Sequence, residues 1–178
     1  MKIYLSYICD NIFSFFSIVI IVVSGAAFFL IPSLSSILFK GLTPIALTEV
    51  VLISRILLLS PIILGLSNIF GSLTQAYNRF TIYALAPLLY NAGIILGIIF
   101  LAERLGVMGV VIGVVIGASF HALIQIPFVV ASGLFPKPSL RLDFNAISQV
   151  MSISMPRTLT LSMTNLASIF LISMASLM

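Results

Sequence analysis

The run GVMGVVIGVVIGASFHALIQIP, residues 106–127, decides the fold. It contains no Asp, Glu, Lys or Arg and is long enough to cross a bilayer as a helix, which takes about 20 apolar residues. Gly109, Gly113 and Gly117 recur every fourth residue, so they share one helical face. Such a stripe forms a groove in which another backbone can pack. His121 and Gln125 continue the stripe with two large polar groups. Lipid offers them no partner, so this face points to the interior of a bundle or to a cavity.

The same character extends outward in both directions. Hydrophobic residues make up 61% of the chain and charged residues 7%, against about 45–50% and about 25% in soluble domains. A soluble chain of this size leaves too much surface wet to hide that excess. Charge-free windows run over Asn11–Phe39, Ile56–Asn78, Phe80–Ala102, Leu105–Pro136 and Thr158–Met178. The reading is an all-α membrane protein of about five transmembrane helices, near 11–38, 54–76, 80–102, 107–131 and 154–177, together forming part of one lobe of a helix bundle over residues 1–178. Pro136 and Pro138 stop the fourth helix. Beyond them, Leu142, Phe144, Ile147 and Val150 alternate with Arg141, Asp143, Asn145 and Gln149, which suggests an amphipathic linker at the membrane surface over 139–150.

Basic residues in the joints set the expected orientation. Lys2, Arg79, Lys137 and Arg141 fall on one side, and Lys40, Arg55 and Arg104 on the other. The excess favours a cytoplasmic N-terminus. A secretory signal is a competing reading of Lys2, the apolar run and the small residues Ser24 to Ala27, but Asp10 interrupts it. The fifth helix ends at the last residue, so the chain is expected to be a piece of a longer protein.

Several polar groups stand out against this background. Arg79, Tyr83, Pro87 and Asn91 share a face of the third helix, where Pro87 frees a carbonyl and favours a bend. Gly93 and Gly97 in the same helix permit close approach by a neighbour. Either a kinked packing helix or a bent wall of a wet cavity fits these residues. Asn68, Ser72, Gln75 and Arg79 follow one edge of the second helix, with Arg55 at its mouth. Arg55 either snorkels to the interface or holds phosphate in a cavity. His121 is either bonded to a neighbouring helix or a proton-sensitive or headgroup-binding group. In the fifth helix Asn165 belongs to a broadly polar surface, and Arg157 is either an interfacial anchor or a cavity cation.

Other chemistries find little material. The only cysteine is Cys9, which excludes an internal disulfide, and His121 has no nearby ligand set for a metal. No nucleophile–base pair or Walker-type loop is present, so neither catalysis nor a cofactor is expected. The net charge of +4 forms no basic face for nucleic acid.

Four ordered motifs carry a resemblance: FGSLTQAYNRF (70–80), ALAPLLYNAGII (84–95), GVMGVVIGVVIGASFHALIQIP (106–127) and SMPRTL (154–159). The block from about Ile53 to Leu161 resembles the MurJ/MviN family of lipid II flippases, within a larger group of multidrug, oligosaccharidyl-lipid and polysaccharide exporters. The resemblance implies a two-lobed bundle in the bacterial cytoplasmic membrane. It further implies alternating-access transport of lipid II, the undecaprenyl-pyrophosphate-linked precursor of peptidoglycan, with lipid II, membrane lipids and the remainder of the transporter as partners. The family's cavity arginines precede this block, so no residue here takes their place by motif. Roles for Arg55 and Arg157 toward the pyrophosphate are expectations. Two other readings stay open: an exporter of another lipid-linked oligosaccharide or drug, and a small non-transport membrane subunit or scaffold.

Overall fold

Prolines and turn residues punctuate a chain that is otherwise helix. In the computed structural model, the backbone is described for residues 2–39, 41–139 and 142–175, and the side chains within these ranges except those of 2–5, 146, 157, 161 and 164–175. Helix α1 spans Lys2–Leu38. Thr43 then caps α2 (Pro44–Leu57): its hydroxyl accepts from the Ala46 amide at 3.4 Å, and Pro44 occupies the first turn, where a missing N–H costs nothing. At Leu58 the helix is interrupted, and α3 follows over Leu59–Ala76. Pro61 explains the interruption, since it cannot donate to the carbonyl of Leu57 one turn earlier.

The turn into α4 (Phe80–Leu96) places Asn78 at φ 57°, a left-handed conformation that Asn tolerates better than most side chains. A π-turn over Gly97–Leu101 and the short α5 (Ala102–Leu105) complete this segment. Gly106 adopts φ 58°, ψ −137°, a region open only to glycine, and starts α6 (Val107–Leu123). Pro127 removes the donor that would bond the Leu123 carbonyl. The helix breaks there and resumes as α7 (Ile126–Ser132).

Among the described residues four stretches are long and apolar enough to cross a membrane: Ser6–Leu38, Pro44–Ala76, Phe80–Leu105 and Val107–Ser132. No strand occurs among the described residues. The second stretch begins ten residues before the sequence reading starts it. Arg55 therefore lies not at the mouth of a span but about 17 Å along it, at 1.5 Å per residue.

Residues 1–138 form one body and 139–178 another. In the first, α6 is central and touches α2, α3, α4 and α7, while α1 packs on α2 and α3. Where α1 begins, Cys9, Phe70, Leu73, Val129 and Leu134 form a buried cluster. The Phe13 and Phe70 rings stack at 6.1 Å, and Tyr77 meets Phe128 edge-on at 6.0 Å. Asp10 accepts from the Lys137 amide at 2.7 Å, fastening the chain after α7 to α1.

The second body contains α8, Phe144–Ala175. Asp143 caps it, accepting from the Asn145 amide at 2.9 Å. The helix continues through Pro156, so residues 144–150 of the expected surface linker share one element with the fifth span expected from the sequence. The side chains of Arg157 and Asn165 lie outside the described residues.

Candidate functional site

Three small residues on α3, Ser67, Gly71 and Thr74, recur at spacings of four and three and are buried on one face. The α6–α7 break brings His121 and the fully buried Gln125 against them. The Gln125 amide donates to Ser67 Oγ at 2.9 Å and to the His121 carbonyl at 2.8 Å. With both amide hydrogens engaged, the Ser67 hydroxyl is free to donate to His121 Nδ1 at 2.7 Å. That assignment makes Nδ1 an acceptor and puts the proton of neutral His121 on Nε2. Gln125 Oε1 has no hydrogen-bond partner among the described residues and faces Gly71, where an added Cβ would come within 3.2 Å. Thr74 turns its hydroxyl back to the Gly71 carbonyl at 2.8 Å.

Beside this clasp, α4 and α6 touch backbone to backbone. A Cβ on Gly97 would sit 2.5 Å from Gly113 Cα and 2.9 Å from the Gly109 carbonyl oxygen. Gly93 meets Gly117 in the same way, and Gly109 meets the backbone at Leu101. The two glycine stripes noted in the sequence thus face each other across one contact. No side chain larger than hydrogen fits between them.

The remaining polar candidates are distributed elsewhere. Asn68 and Gln75, each about 100° round α3 from Ser67 and Thr74, are exposed. Arg79, Tyr83, Pro87 and Asn91 are all exposed along α4. The Arg79 guanidinium lies 5.9 Å from the Phe128 ring. Arg55 is separate from all of these. Its guanidinium lies 4.3 Å from the Phe28 ring, and Nε donates to the Phe28 carbonyl at 3.4 Å.

Ser67 was not singled out by the sequence. Its spacing to Gly71 and Thr74 was the available signal, but the bulkier amides Asn68 and Gln75 mark a different edge of the same helix. Ser60, whose buried hydroxyl beside the Pro61 break has no partner among the described residues, was missed as well.

No curated protein matches the sequence. The family model described as lipid II flippase MurJ matches residues 6–178. Apolar helices of membrane length, glycine-paired in the manner of membrane bundles, are the setting in which that match falls. The chain is a multi-pass membrane protein that belongs to the MurJ lipid II flippase family.

Proposed function

We propose that these helices form part of one lobe of a transporter that moves lipid II across the bacterial cytoplasmic membrane by alternating access. The family match over residues 6–178 carries this reading. The packing supports a mechanical role for the described helices. The glycine contact joins α4 to α6, and the Ser67–His121–Gln125 clasp joins α3 to α6, so the three move together. Shape change then falls to the places where helical bonding is already incomplete. These are Leu58 before Pro61 and the turn of α4 at Pro87. The exposed face of Arg79, Tyr83, Pro87 and Asn91 is the wall offered to a hydrophilic headgroup, while the polyprenyl tail stays in the bilayer.

The test is translocation by a full-length transporter carrying this segment. Pro87→Ala combined with Asn91→Ala is expected to slow lipid II flipping while leaving membrane insertion and protein level intact. Unchanged flipping in that variant removes the α4 face from the mechanism. Competition between lipid II and another polyprenyl-linked oligosaccharide reads the substrate, and equal competition by both favours the broader exporter reading.

A further inference from the structure

A groove of about 600 Å³ lies between α1 and the α2–α3 segment, within the usual range for small-ligand sites. Ile21, Leu52, Leu59 and Ile62 supply aliphatic walls, and Gly25 leaves room, since a Cβ there meets nothing within 4 Å. Arg55 stands at the groove against Phe28. A guanidinium has five N–H donors. Only Nε of Arg55 finds a hydrogen-bond acceptor among the described residues, and no carboxylate pairs with it there.

Depth gives the groove a polarity. The segment Pro44–Ala76 is about 50 Å long, while the hydrocarbon core is about 30 Å, so its ends project beyond the core. Side chains lean toward the helix N-terminus, so Arg55 reaches toward Pro44 and the headgroup level. From Arg55 to Ile62 the groove runs the other way, toward the bilayer centre, for about 10 Å. A cation reaching toward the headgroup level above an apolar slot of that length has the amphipathic pattern of a lipid.

We propose that this groove holds a resident membrane phospholipid of net negative charge, with one acyl chain along Ile21, Gly25, Leu59 and Ile62 and its phosphate on Arg55. Charge complementarity selects this occupant. An apolar helix laid in the groove leaves the terminal guanidinium donors unpaired, whereas a phosphate accepts from two of them in parallel. A zwitterionic lipid already neutralises its phosphate with its own ammonium. The site does not depend on which substrate is transported.

Native mass spectrometry of the purified 178-residue chain with dioleoyl phosphatidylglycerol or dioleoyl phosphatidylcholine tests the proposal. The expected preference for phosphatidylglycerol is about tenfold, as befits a charge-assisted bond. Arg55→Met abolishes the preference and Arg55→Lys keeps part of it. Gly25→Leu fills the slot without a backbone clash and weakens retention of both lipids. Excess glycerol 3-phosphate fails to displace the bound lipid. Equal retention of the two lipids by the unaltered chain overturns the proposal, as does an undiminished preference in Arg55→Met. Unaltered retention in Gly25→Leu, or displacement by the soluble headgroup, reduces the site to a surface anion contact and also overturns it. The comparison on the unaltered chain stands even if a variant fails to fold.

Discussion

Gln125 illustrates how a buried amide is held in a membrane helix bundle. Both of its hydrogens are used, and Ser67 relays the chain of bonds to His121. Ser67→Ala is expected to cost about 0.5–2 kcal/mol, the range for hydrogen bonds between membrane helices. Gln125→Glu costs more, because a carboxylate oxygen then faces the His121 carbonyl with no donor between them. Reversible unfolding in mixed micelles ranks the two, and the reverse order refutes the donor assignment. At Gly106, the backbone conformation itself is the constraint, and Gly106→Ala is expected to lose about 1–3 kcal/mol in the same measurement. The inward-facing stripe of His121 and Gln125 is legible in the sequence because its period matches the helix. Their partner is not legible, because which edge of α3 meets α6 is settled by packing, and that packing buries Ser67 rather than Asn68.

At the scale of elements, glycine has opposite consequences in two helices. Gly97→Leu forces a side chain into the backbone of α6 and is expected to separate α4 from α6. Gly25→Leu enters open space and is expected to leave folding intact. Cysteine crosslinking between α4 and α6, lost in the first variant and retained in the second, checks the contrast. Pro61→Ala supplies the missing donor to Leu57 and is expected to slow amide exchange around Leu58, joining α2 and α3 into one helix. Existence and type of the elements follow from apolar runs of membrane length. Boundaries follow less well. Pro44 reads as a turn residue, yet after Thr43 it is the first residue of a helix. Likewise the apolar and polar alternation beyond Asp143 belongs to the opening turns of α8.

For the molecule as a whole, the exposed surface is that of a protein in lipid. Phe29, Ile45 and Val22 are among many large apolar side chains left open on the outer faces of the helices. The chain is therefore expected to remain with membranes through alkaline carbonate washing, and release into the supernatant counts against integral insertion. Family membership follows from a match along nearly the full sequence. The π-turn at Gly97–Leu101 also resets how the third span is to be mapped. One surplus residue advances a helix by about 100°, so positions beyond Leu101 are out of phase with those before Gly97. Scanning data collected along this span divide into two angular registers, and Glu103 and Arg104 belong to a different azimuth from the one that uninterrupted counting from Asn91 assigns them.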